Sequence, residues 1–218
     1  MILFTSLNFI VIALGICSNF IKKNKSDIIF LIVIFGALGA VYILRDTNVG
    51  TDTSTYVEIF HDVKNTPFRD LNSYYCLKWE MEIGFCILLK ITSLFTNDIY
   101  LYFFISGIII FSSVANFIYK NSDNIYISTC IFICFLYLEV FNVTRQYLAL
   151  SFLLYAYSYL RKKDLKKSII FFGIALLFHT TAIIFLLVYP LYYYKPGRNT
   201  VLLCAGTCIG VFLVYQTI

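Results

Sequence analysis

The sequence predicts an all-α fold: a polytopic helical membrane protein of about seven spans plus one re-entrant or interfacial helix. Three observations predict it. The chain is 60% hydrophobic and only 13% charged, with a mean hydropathy of +0.82, outside the balance of soluble domains. Several apolar runs approach or reach the roughly 20 residues that cross a bilayer. Lys and Arg gather in short connections between those runs, the usual bias of cytoplasmic loops. The net charge of +5 therefore reflects topology, and nucleic acid is not expected as a partner.

The expected spans are Met1–Ile21, Asp27–Leu44, Asp98–Tyr119, Asn124–Phe141, Gln146–Leu160, Ser168–Val188 and Val201–Thr217. Their helices carry almost no polar face, unlike the amphipathic helices of a soluble core. Met1–Ile21 lacks a basic amino-terminal region and a small-residue cleavage site, so it reads as a span and not as a cleaved leader. Residues 1–218 are expected to form one integral membrane domain. Its seven cysteines include no CxxC pair. Cys130/Cys134 and Cys204/Cys208 have helical spacing but sit in apolar segments, as small packing residues do. Neither a metal site nor a disulfide framework is expected.

Placing Lys22–Lys25, Lys120 and Arg161–Lys167 inside orients the chain. Residues 45–97 then form an extracytoplasmic loop with a short helix. Ile83–Phe95 lies in that loop and carries Lys90 near its middle. At about 1.5 Å per residue it spans roughly 20 Å, short of the ~30 Å hydrocarbon core. It reads as an interfacial helix, with Trp79 at headgroup depth. If it crossed instead, every later loop would change sides. No proline lies within an expected span, so broken transporter-type helices are not expected.

The outer loop opens on the polar run Arg45–Tyr56, which includes Asp46, Thr51, Asp52 and Thr53. Glu139, Arg145 and Gln146 flank the tight outer turn Asn142–Thr144, and His179 falls about halfway through Ser168–Val188. Ionisable groups at such depth cost about 2.5–3.5 kcal/mol on insertion scales, which makes function the default explanation. Each has a structural alternative. Arg45 would snorkel to headgroups, Asp52 with Thr53 would cap a helix, and Arg145 would anchor a helix end. Glu139 would join helices, and His179 would bond a neighbouring carbonyl. Two arginines, a histidine and acids on one face are harder to explain that way. No Gly-x-Ser nucleophile and no His-Glu-x-x-His appears, the only histidines being His61 and His179. Intramembrane serine and metalloprotease chemistry is thereby excluded.

Three blocks resemble the EpsG family of bacterial polysaccharide polymerases, relatives of the Wzy-type O-antigen and capsule polymerases. They are Arg45–Tyr56 as R-x(4)-G-T-D-T-x-x-Y, Asn142–Ala149 with its Arg-Gln pair opening a helix, and Gly173–Thr181 with Ala-x-x-Phe-His. Their order matches, as does the basic Arg161–Lys167 connection between the last two. The resemblance covers roughly residues 27–188. Family members are usually longer, so the chain is expected to be a short variant or a piece.

The resemblance implies polymerisation of lipid-linked oligosaccharide repeats into exopolysaccharide, capsule or O-antigen. Glycosyl transfer from undecaprenyl pyrophosphate would occur at the outer face of the bacterial inner membrane. A flippase and a chain-length regulator are implied partners. Arg45 and Arg145 suit the pyrophosphate, because guanidinium forks match phosphate oxygens. Asp52 is the first candidate for general base or acceptor binding, and His179 the second. Thr51, Thr53, Tyr56, Gln146 and Glu139 are candidate substrate contacts. With two arginines to balance the pyrophosphate, no cofactor and no obligatory divalent ion are expected. A non-enzymatic, flippase-like role in glycan export is the alternative. A membrane acyltransferase using His61-Asp62 is a remoter one.

Overall fold

The computed structural model describes residues 25–71, 80–194 and 197. The expected first and last spans and Trp79 lie outside the described residues. All regular structure described is helical. In order it comprises α1 (Lys25–Ile43), α2 (Thr53–Val63), a 3-10 turn (Phe68–Asp70), α3 (Ile83–Phe95) and α4 (Tyr100–Asn121). Then follow α5 (Ile125–Asn142), α6 (Thr144–Arg161), α7 (Leu165–Phe178), a 3-10 segment (Thr180–Leu187) and α8 (Val188–Tyr193). The chain divides into two units after Ile183, and α8 belongs to the second.

Side-chain contacts give each helix its direction. Along α1 and α5 the partners rise together: Phe30 meets Tyr126, Phe35 meets Phe132, and Tyr42 meets Phe141. These helices are parallel. Along α1 and α4 they run oppositely, for Phe111 lies at Gly39 and Tyr42 at Gly107. Phe117–Tyr157 and the Arg161–Asn121 hydrogen bond make α6 parallel to α4. Ser168–Ala156 and Phe152–Phe178 make α7 antiparallel to α6. The chain thus runs up, down, up, down, up. One end of the bundle gathers the starts of α1, α5 and α7 with the basic connection Arg161–Lys167. The opposite end gathers Arg45, the Asn142–Thr144 turn and His179.

The outward faces are apolar. Ile29, Ile32, Val33, Phe104, Ile108, Ile169 and Ile170 are all exposed, and an exposed apolar belt of that kind marks contact with lipid or protein. Two described helices, Tyr100–Asn121 and Ile125–Asn142, are long and apolar enough to cross a membrane, and Asp27–Ile43 is a shorter apolar helix. Within α5, Phe132–Leu136 forms a π-helical turn. Tyr147 Oη donates to the Leu136 carbonyl at 3.1 Å, taking up a backbone acceptor beside the bulge.

Helix α3 starts and finishes at the polar end. It runs alongside α2 in the same direction, with Tyr56 on Phe85. Lys90 Nζ donates to the Val63 and Lys64 carbonyls at 3.1 and 2.6 Å. The lysine that looked out of place in an apolar segment therefore caps the carboxyl end of α2. At its amino end, α3 approaches α7 closely: a Cβ on Gly84 would lie 2.6 Å from the Leu177 carbonyl oxygen.

The expected continuous span Ser168–Val188 needs correction. Helix α7 ends at Phe178, His179 is extended (φ −161°, ψ 126°), and a 3-10 segment follows. His179 is thus the residue at a helix break and not mid-helix, and the break occurs without proline. The physical reason is tertiary: the Thr180 N–H leaves the helical ladder for a side-chain acceptor, the Glu82 carboxylate.

Candidate active site

The loop after α1 is shaped by its own short-range bonds. Asp46 Oδ1 accepts from the Asn48 backbone and side-chain nitrogens at 2.9 and 2.8 Å, tightening the turn. Gly50 has φ +102°, and a Cβ there would lie 2.1 Å from the Phe141 carbonyl oxygen. Only glycine fits both constraints. Thr51 Oγ1 donates to the Asn142 carbonyl at 3.4 Å, and its backbone N–H to Asn142 Oδ1 at 3.4 Å. The first two sequence blocks therefore touch. Thr53 is fully buried and donates to the Val49 carbonyl at 2.7 Å, a structural bond at the entry to α2.

Asp52 occupies the residue before α2, yet its carboxylate makes no cap. It accepts instead from Tyr56 Oη at 3.1 Å and Thr51 Oγ1 at 3.3 Å. Burial pushes the Tyr56 phenol well above its ordinary value, although Arg145 beside it pulls the other way.

Arg45 does not reach outward to headgroups. It is 5% exposed, its guanidinium lies 4.4 Å from the Tyr42 ring centre and 4.3 Å from that of Phe103, and Nη1 donates to the Phe141 carbonyl at 3.3 Å. Cation–π contacts contribute roughly 0.5–2 kcal/mol each, more when dry.

Glu82, just ahead of α3, joins the rest. Its Oε2 lies 2.7 Å from Arg145 Nη1. Its Oε1 lies 2.8 Å from His179 Nδ1 and accepts from the Thr180 N–H at 3.0 Å. Burial alone would raise this carboxyl's pKa. The backbone donors at Thr180 and at Glu82 itself, with Arg145 and His179, outweigh it and hold the group below the usual carboxylate value. A chain of contacts thus runs from Asp52 through Tyr56, Arg145 and Glu82 to His179. Beside it a cavity of about 370 Å³ is lined by Glu139, Gln146, Tyr147, Leu150, Leu153, His179 and Thr181 among others.

Buried side-chain N and O atoms without a hydrogen-bond partner, among the described residues, belong to Arg45 (Nε, Nη2), Tyr102 (Oη), Arg145 (Nε) and His179 (Nε2). Tyr102 interacts electrostatically with both arginines. Glu82 and Tyr102 are the groups that sequence reasoning missed. Glu82 had a signal: two cations and a histidine on one face called for a carboxylate, and it stands at the mouth of the short helix. Tyr102, one of 18 tyrosines, had none.

A sequence model of the EpsG family matches residues 28–218, spanning all three blocks and Glu82. The chain belongs to the EpsG family. No curated protein and no solved structure matches it. The EpsG family is associated with polysaccharide polymerase-like activity, which sets a lipid-linked saccharide as the substrate class and a membrane as the setting. In this EpsG-family chain the Arg145-Gln146 pair, the Gly50–Thr53 run and the Phe178-His179 pair all converge on the polar end of the bundle.

Proposed function

We propose that the chain lengthens a lipid-linked glycan by transferring it from undecaprenyl pyrophosphate onto the sugar of another lipid-linked repeat. The observation that carries this reading is the set of buried donors left over at Arg45, Tyr102 and Arg145. Each buried polar atom without a partner costs about 1–3 kcal/mol. A ligand dense in acceptor oxygens relieves several at once, and a pyrophosphate is such a ligand. Arg145 and Arg45 hold it and stabilise the charge that develops on the leaving oxygen. The cavity beside His179 takes the acceptor sugar, with Glu139, Gln146 and Thr181 as its polar wall. Asp52 and His179 are the acceptor-side acid–base groups; Thr51 holds the Asp52 loop against the Asn142 turn, and Thr53 secures the entry to α2 through the Val49 carbonyl.

The polar end faces the periplasm or exterior of a bacterial inner membrane, since the basic Arg161–Lys167 connection lies at the opposite end. The chain crosses that membrane several times, and residues 45–97 lie outside with α2 and α3 on the surface. A flippase supplying repeats and a regulator of chain length are its functional partners.

The test is genetic complementation, scored as glycan chain length and as carrier-linked repeat units. Wild type restores long glycan. Arg145→Ala and His179→Ala leave single repeats on the carrier. Normal chain length in both variants overturns the reading, and loss of surface-facing single repeats points to transport instead.

A further inference from the structure

Glu82 is a carboxylate that joins Arg145 on α6 to His179 at the break after α7. It does so from a third segment, held in place by the close approach at Gly84. Its geometry bears on the proton of His179. An ionised carboxylate only accepts, so at 2.8 Å the proton of this contact resides on His179 Nδ1. The neutral ring then carries its lone pair on Nε2. That atom is buried and has no hydrogen-bond partner among the described residues, and the histidine lines the 370 Å³ cavity.

We propose that Glu82 is a positioning residue that fixes the Nδ1–H form of His179 and so assigns the base role to His179 Nε2 rather than to Asp52. This inference rests on the polymerase reading for its substrate, though the tautomer itself does not. Asp52 is engaged at both oxygens by Tyr56 and Thr51, whereas Nε2 is uncommitted. In the reaction the acceptor hydroxyl loses its proton to Nε2 as its oxygen bonds to the anomeric carbon of the donor glycan. The bond from that carbon to the phosphate oxygen breaks, and its electron pair leaves on the pyrophosphate. The imidazolium formed then sits 2.8 Å from Glu82, and the carboxylate compensates the new charge, the role of the third member in other base–orienter pairs. The same carboxylate keeps Arg145 beside the leaving group through its second oxygen.

Among the described residues, the titratable groups around this pair besides Arg145 are Tyr56 from α2, Asp52 just before it, Tyr102 from α4, Glu139 from α5 and Tyr147 from α6. None of these contacts His179 Nδ1.

The experiment uses the full chain in lipid nanodiscs with ¹⁵N-labelled histidine. Only two histidines exist, and exposed His61 on α2 is the internal control. Wild type is expected to show His179 in the Nδ1–H form, and Glu82→Gln to move it toward Nε2–H while His61 is unchanged. An Nε2–H form in the wild type overturns the proposal whether or not the chain polymerises glycan. The second measurement is lengthening of a lipid-linked repeat. Glu82→Gln is expected to slow it about 10²-fold or more, within the range of general base catalysis. Combined with His179→Ala, it slows the reaction no further. Equal, multiplying losses in the double variant show that Glu82 does not act through His179 and overturn the proposal. A wild type that lengthens nothing sinks the polymerase reading alone, because the tautomer result still stands.

Discussion

Gly50→Ala tests whether contact between the Arg45–Tyr56 loop and the Asn142 turn matters to function. Two costs follow from the structure. A non-glycine residue at φ +102° occupies a strained region, worth about 1–3 kcal/mol. The new Cβ would also stand 2.1 Å from the Phe141 carbonyl oxygen, against about 3.4 Å for an ordinary tight contact. That oxygen is backbone, so the loop must withdraw by more than about 1 Å. Asp52, Thr51 and the start of α2 move with it. Misplacement of reacting groups by about 1 Å costs on the order of 10²-fold in rate. The assay is glycan chain length in complemented cells, with thermal unfolding of purified protein as the stability measure. Gly36→Ala is the control: nothing lies within 4 Å of a Cβ there, and the site is mid-helix in α1. It should be neutral, or stabilise by about 0.5–1 kcal/mol. Wild-type lengthening by Gly50→Ala would refute the reasoning.

Three further outcomes follow. Glu82 titrates below the ordinary value of 4.5 in the folded chain, so its contribution to stability is complete above that pH and is lost as pH falls through the lowered value. Thermal unfolding between about pH 6 and pH 3 should show a steeper acid loss in wild type than in Glu82→Gln, and parallel curves would contradict this. Thr180→Pro removes the N–H donated to Glu82, while the extended His179 before it and the 3-10 start suit proline. It should keep the fold by circular dichroism and shorten the glycan, and an unchanged product would mean the bond is dispensable. Lys90→Met strips two α2 carbonyls of a charged donor; unfolding measurements should find a loss of about 1.5–3 kcal/mol, and a neutral result would refute the capping role.

The sequence made the bundle legible because lipid imposes a simple demand: long apolar runs with basic residues collected at one side. Helices α4, α5 and α6 fall within two residues of the expected spans for that reason. The 13-residue length of Ile83–Phe95 sufficed to doubt a crossing, and Lys90 on the α2 carbonyls explains its charge. The break at His179 was not legible, since Phe178 through Leu187 stays apolar on average and no proline marks it. Its cause is a carboxylate nearly a hundred residues earlier in the chain. Arg45 was legible as important but not as enclosed, because the rings of Tyr42, Phe103 and Phe141 that surround it come from three helices. Pair contacts of this range leave no local pattern.

The most direct test of the central claim is reconstitution. Purified chain in vesicles is supplied with repeat units linked to undecaprenyl pyrophosphate, and both products are followed. Wild type should yield glycan of two or more repeats with an equivalent release of undecaprenyl pyrophosphate, while Arg145→Ala should yield neither. Lengthening that persists at the wild-type rate in Arg145→Ala would contradict the account, as would a wild-type protein that moves lipid-linked repeats across the vesicle without joining them.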